Sequence, residues 1–191
     1  MSTNVSKRWV QWWCCAWRDA HPEWRARFID QSGLPPAICE TLAIQRVDVF
    51  LKFAGVVFLQ PPEPEAHTLK WLSLDDSQSQ LALSLVGRIC SPEHPDSSVN
   101  DEYTPWCRSV AKALRPGLWL DSKSLDPRLL LGVWLGVSYW SRVRLYWSPN
   151  ALEESPIKAI AANTMACSRL QTLWPAVFWQ VTEGMEIQHA G

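Results

Sequence analysis

The stretch RWVQWWCCAWRDAHPEW, Arg8 to Trp24, holds five of the chain's thirteen tryptophans. Indole carries a large apolar surface and a single N–H donor, so rings at this density need a shared core or a partner to cover them. Set at helical spacing, Trp9, Trp13, Ala16 and Ala20 centre on one face, with Trp12 and Trp17 at its two edges. The apolar arc is roughly 160° wide, broader than the ~100° stripe of an ordinary surface helix. Gln11, Cys14, Cys15, Arg18 and Asp19 fall outside it. The spacing predicts a helix over Ser6–Ala20 with a core-facing centre. Trp12 and Trp17 are then the rings expected to keep uncovered edges, where Trp serves protein interfaces well.

Charge decides against one use of these rings. Exposed aromatics that stack bases work beside a basic groove. Here 18 Lys and Arg stand against 19 Asp and Glu, a net charge of −1, and no basic block stands out. No nucleic-acid partner is expected. At 47% hydrophobic and 19% charged residues the chain is able to bury a core. The longest apolar run, Leu129 to Trp140, is shorter than the roughly 20 residues a bilayer core demands. MSTNVSKRWVQWW lacks the pattern of a signal peptide. The expectation is a cytoplasmic protein with no membrane span, and with its six cysteines reduced.

Proline, glycine and capping residues punctuate helices along the rest of the chain. Pro22 opens a segment that Gly33 stops, and Pro35-Pro36 opens the next. Ile38, Leu42, Val49, Phe50 and Phe53 suggest one helical face there, although 47–59 is rich in β-branched residues. Asp75 or Asp76 caps a helix bearing Leu81, Leu85 and Ile89, and Trp106, Val110 and Leu114 mark a short one before Pro116-Gly117. LDPRLLLGVWLGVSYW, Leu125 to Trp140, reads as a central buried helix with Asp126 as its cap and Pro127 in its first turn. Pro156 begins a last helix carrying Ile157, Ile160, Ala161, Thr164, Cys167 and Leu170, with Pro175 as its stop. Extended loops are expected near 60–68 and 91–105. The class expected is mainly α, a single helical domain over 1–191 with little or no β. The alternative is α+β, with a short strand near 142–147 where Val143, Leu145 and Trp147 alternate.

The strings that resemble chemistry have simpler readings. Ser155-Pro-Ile-Lys158 matches an SxxK spacing, but no companion motif follows, and Ser155 suits an N-cap before Pro156. Cys14, Cys15, His21 and Cys39 lack the two-to-four-residue spacing of zinc ligands, and adjacent cysteines on a helix diverge by about 100°. Gly132 and Gly136 read as a close-packing groove in a helix. The pairs Asp75-Asp76 and Glu153-Glu154 sit where helices begin and suit the helix dipole. No catalytic residue, cofactor or metal is expected.

Three features in order resemble a family. They are the Trp-rich first helix ending in HPEW, the DDSQSQLALSLVGRIC helix, and the block LGVWLGVSYWSRVRLYWSPNALEES. Together they resemble the SctK-type accessory subunits of bacterial type III secretion, the YscK/HrpD-like group, and most nearly its HrpD branch. The resemblance implies a non-enzymatic adaptor of the sorting platform, peripheral at the inner membrane. It would link the cytosolic domain of an inner-membrane ring protein to a pod protein of the SctQ type, and indirectly to the stator and ATPase. The candidate partner-binding residues are Trp12 and Trp17, with Arg142 and Arg144 beside the late apolar block, since Arg both stacks and donates in pairs. A solvated face is the plainer reading of the two arginines. The other classes open to such a chain are a cysteine-dependent enzyme and a secretion chaperone. Near-neutral charge and few strand signals weigh against the chaperone.

Overall fold

Helix boundaries mostly fall where the punctuation places them. The computed structural model describes residues 3–57, 59–94, 99–122, 124–153 and 155–182, the side chains of 3–6 and 155 excepted. Among these the chain is helical, with no strand. The mainly α class is therefore what the protein adopts. The chain divides into two compact units where the sequence suggests one helical domain over 1–191. One comprises Met1–Leu69 with Val137–Glu153, the other Lys70–Gly136 with Glu154–Gly191.

The first unit holds α1 (Thr3–Cys14), α2 (Ala16–Asp19), α3 (Pro22–Ser32), α4 (Pro36–Gln45) and α5 (Val47–Phe53). The helix expected over Ser6–Ala20 breaks at Cys15, whose backbone leaves helical geometry at φ −113° and ψ 38°. Trp9, Trp13, Ala16 and Ala20 are all buried, so the central face is core across the break. His21 caps α3, and Gly33 ends it in the left-handed region at φ 64°. The β-branched run at Val47 is helical in α5 rather than extended. Ala16, Trp17, Ala20, Trp24, Phe28, Cys39, Ala43, Phe50 and Leu51 form a common core. Trp17, Phe28 and Phe50 meet edge to face within it, at 5.0–5.7 Å between centroids.

The second unit includes α7 (Asp76–Cys90), which follows α6 (Ala66–Ser73). Asp75 and Gln78 form a capping box at the start of α7. A 3₁₀ turn over Asp101–Tyr103 leads into α8 (Thr104–Leu114), and Arg115 ends α8 at φ 50°. The loops are thus shorter than expected: Ala66–Thr68 and Thr104–Pro105 are already helical, because proline at the start of α8 needs no N–H partner. Residues 95–98 of that loop lie outside the described set. Asp126 caps α9 (Pro127–Leu135), as its sequence implies. α11 (Ser155–Ala162) and α12 (Thr164–Thr182) are separate helices, because the Asn163 side chain accepts from the N–H groups of Met165 and Ala166 and starts a new one. α12 packs against α7 and α9, and Trp134 stacks on Trp174 at 5.5 Å.

Three expectations fail for identifiable reasons. Pro175 does not stop α12, which continues through it to Thr182. Pro175 and Gln171 are both exposed, so the carbonyl four residues back that loses its partner lies on the solvent side. The Leu125–Trp140 helix ends at Gly136, where φ 79° and ψ 160° interrupt it. α10 (Val137–Val143) begins anew, and Gly132 and Gly136 make no continuous helical groove. The alternative strand near 142–147 is absent: α10 runs into a 3₁₀ turn over Arg144–Tyr146, which buries Val143 and Leu145 without a β partner.

Candidate functional site

The site grows out of the first unit's tryptophans. Trp9, Trp12 and Trp13 of α1 and Tyr139 of α10 form one aromatic cluster, with centroids 5.2–6.0 Å apart. The rings do more than fill space. Trp13 Nε1 donates to the carbonyl of Leu59 at 2.8 Å, and Trp9 Nε1 donates to that of Pro62 at 2.7 Å. The stretch LQPPEP, residues 59–64, is poor in backbone donors, because proline has none, and it lies outside any helix that would bond its carbonyls. The indoles supply those donors, so the proline-rich segment is held by side chains.

Two arginines complete the clasp. Arg142 donates from Nε to the Trp13 carbonyl at 3.4 Å and from Nη2 to the Val57 carbonyl at 3.3 Å. Its guanidinium carbon sits 3.6 Å from the centroid of the Trp13 ring. Arg144 donates to the Ala54 carbonyl and lies 5.1 Å over Trp24. Trp24 Nε1 in turn donates to the Trp147 carbonyl at 2.9 Å. Gly55 sits beside Arg144 at φ 69°, the left-handed region that favours glycine, so it is the backbone and not the space around it that calls for glycine here. The 3₁₀ turn is fastened by His21 N–H to Leu145 O at 2.7 Å and by Ser148 Oγ to Glu23 Oε2 at 2.5 Å.

These positions correct the sequence reading of the candidate residues. Trp12 is 8% exposed and Trp17 7%, so neither keeps an uncovered ring edge. Neighbouring aromatics cover both: Trp9 and Trp13 for Trp12, Phe28 and Phe50 for Trp17. Arg142, only 4% exposed, is not on a solvated face. Arg144 is half-buried.

A shallow recess beside the clasp, with about 10 Å³ of space open to water, is lined by Trp12, Ala16, Asp19, Arg142, Leu145 and Tyr146. That is room for about one water molecule, not for a small-molecule ligand. Burial pulls the Arg142 guanidinium down to about 10, a cost that only charge or hydrogen bonding offsets. Burial, then the charge of Asp19, pushes the Tyr146 phenol up to about 12. Burial also raises Asp19 itself. Tyr139 and Tyr146 escaped the sequence reading. The signal for Tyr146 was its place beside Arg142 and Arg144 in RVRLYW.

Among the described residues, no three His, Cys, Asp or Glu side chains are grouped to hold a metal. Burial pushes the Cys90 thiol up to about 12 and Cys107 up to about 11, against thiolate chemistry at either. Lys158 of the SxxK string is exposed, and the Ser155 side chain lies outside the described set. Asp75 is occupied as a cap, accepting from Gln78 N–H and Ser77 Oγ.

A second feature lies on α4. Cys39 and Ala43 are buried, yet Ile38 is 52% and Ile44 65% exposed on the opposite side, with Leu34 exposed just before the helix. Ile38 therefore does not share the buried face with Phe50, as its spacing suggested. A helix apolar on both sides is ordinarily covered on both.

Set against protein-family models, curated proteins and solved structures, the chain matches none. Among the described residues no helix is long and apolar enough to cross a membrane.

Proposed function

We propose that this chain is a non-enzymatic adaptor of a type III secretion sorting platform. In this reading it works in the cytoplasm, at the periphery of the inner-membrane apparatus. It joins the cytosolic domain of an inner-membrane ring protein to a pod protein of the SctQ type, and through the pod reaches the stator and ATPase. The resemblance of the three sequence blocks supplies the system. The observation that carries the adaptor role is α4, whose exposed Ile38 and Ile44 back onto a buried face. An exposed aliphatic face of this kind suits docking better than solvent.

The test is purification of the tagged chain from its native organism under secreting conditions, with identification of co-purifying proteins. Recovery of ring, pod and stator components is expected. Ile38→Asp with Ile44→Asp should cut recovery of one partner by about tenfold while leaving helical content unchanged. A chain that emerges with none of these components while secretion is active overturns the proposal.

A further inference from the structure

Two adjacent cysteines stand where the first helix ends, the one such pair among the chain's six. On a continuous helix neighbouring side chains diverge by about 100°, which would hold two thiols apart. Here α1 ends at Cys14, and Cys15 leaves helical geometry at φ −113° and ψ 38° before α2 begins. Cys14 is half-buried and Cys15 exposed. The two thiols are close enough for the charge on one to act on the other, and the Arg142 guanidinium reaches Cys14 as well. Burial, then the Cys15 charge, raises the Cys14 thiol, while Arg142 favours its thiolate.

An exposed thiol with a second thiol beside it is the arrangement in which a sulfenic acid is captured before it oxidises further. Adjacency also sets the character of the product. Consecutive Cα atoms lie about 3.8 Å apart across a trans peptide, below the roughly 4.4–6.8 Å that a relaxed disulfide spans. A bond between such neighbours is strained and therefore readily reduced. Closing it also acts on a peptide whose N–H donates to the Gln11 carbonyl at 2.8 Å, a bond that fixes the end of α1.

We infer that Cys14 and Cys15 are a peroxide-responsive dithiol that closes reversibly to a vicinal disulfide. The Cys15 thiolate attacks hydrogen peroxide, the O–O bond breaks, and sulfur keeps one oxygen as the sulfenic acid while hydroxide leaves. Cys14 sulfur then attacks Cys15 sulfur. The S–S bond forms, the S–O bond breaks, and water leaves with the Cys14 proton. Two thiols are oxidised by two electrons, and one peroxide is reduced to two waters. A small thiol of the glutathione class reverses the change. It attacks the exposed Cys15 sulfur and releases Cys14, and a second small thiol then frees Cys15.

The test exposes the full chain to a small excess of hydrogen peroxide, removes the peroxide with catalase, and alkylates the remaining thiols in denaturant. Trypsin then releases Trp9–Arg18, which holds Cys14 and Cys15 and no other cysteine. This peptide should lose two hydrogens and take no label before half of the label is lost at Cys167, a half-buried thiol with no cysteine next to it in sequence. Glutathione added after the peroxide should restore both labels. Cys14→Ser should leave Cys15 as a sulfenic acid that dimedone traps, and Cys15→Ser should leave Cys14 open to the label. Both labels retained on Trp9–Arg18 overturn the inference. So does a sulfinic Cys15 beside a labelled Cys14, or chains joined to one another through Cys15 in place of the internal bond. No partner protein takes part, so this outcome and that of the purification are independent.

Discussion

The guanidinium carbon of Arg142 lies 3.6 Å from the centroid of the Trp13 ring, and Nε of the same side chain donates to the Trp13 backbone carbonyl. One residue thus reads both the ring and the backbone of another 129 positions away. Because Trp13 also donates to Leu59 and Arg142 to Val57, three distant segments meet in one knot of hydrogen bonds. Such a knot is cooperative, so its members should not be replaceable one at a time.

That cooperation predicts an asymmetry between two buried tryptophans of the same unit. Trp13 Nε1 has its acceptor at 2.8 Å, whereas Trp140 Nε1 is buried without a hydrogen-bond partner. Trp13→Phe strands the Leu59 carbonyl and thins the surface beneath Arg142. Trp140→Phe removes an orphan donor as it removes ring volume. Urea unfolding should show Trp13→Phe to be the costlier change, by about 1–2 kcal/mol. Equal losses would mean that the indole donors hold nothing.

Alkaline stability should fall before tyrosine ionises in the unfolded chain. Cys90 rises from 9.0 to about 12 and Cys107 from 9.0 to about 11, both through burial. Above pH 9 the unfolded chain releases these protons while the folded chain keeps them, so stability drops as pH rises from 9 through 11. Tyr146, raised from 10.0 to about 12, extends the fall above pH 10. Arg142 opposes it there, since its depressed value makes the folded state release its proton first. Between pH 9 and 10 the two thiols set the slope, because the partial releases of unfolded Tyr146 and folded Arg142 both centre on about 10 and oppose each other; each thiol is worth at most about 1.4 kcal/mol per pH unit. Urea midpoints at pH 8, 9 and 10 should descend, and Cys90→Ala should flatten the descent. A flat parent profile would refute the burial of these thiols.

Much of this architecture is legible before folding because it is written in local chemistry. The Asp126 cap, Gly33 stop, Asp75 cap and buried Trp9–Trp13 face each depend on residues within one helical turn. What spacing does not carry is the long-range partner. Arg142 looks like a solvated residue in RVRLYW, and only the fold brings it to Trp13 and Val57. Trp12 and Trp17 look like edges on a wheel drawn for one helix, and aromatics from other turns of the chain cover them. The break at Cys15 and the continuation through Pro175 depend on what surrounds those backbones. Burial of an arginine among neutral acceptors, as at Arg142, likewise has no signature in sequence.

Capping is strong enough to be measured one residue at a time. The Asn163 side chain accepts from Met165 N–H at 3.0 Å and Ala166 N–H at 3.1 Å, and its amide donates to the Trp119 carbonyl at 3.3 Å. Asn163→Ala loses all three, and should cost about 1–2 kcal/mol in chemical denaturation. Asn163→Asp keeps the cap and loses the bond to Trp119, so it should recover most of that loss. If aspartate rescues nothing, the cap is not what separates α11 from α12.

Two glycines of the same unit should respond to alanine with opposite signs. Gly136 ends α9 at φ 79° and ψ 160°, a region nearly reserved for glycine, while an added Cβ would meet no atom within 4 Å. Gly117, in the 3₁₀ turn Pro116–Leu118, has equal space around it and no positive φ. The two sites therefore differ in backbone conformation and not in room. Gly136→Ala should lose about 1–3 kcal/mol, all of it backbone strain. Gly117→Ala should be neutral or gain up to about 1 kcal/mol, because alanine reduces the freedom of the unfolded chain. Urea midpoints of the two variants should straddle that of the parent. A Gly136→Ala midpoint at or above the parent's would show that α9 and α10 tolerate an ordinary residue at their junction, and that the glycine is not what divides Leu125–Trp140.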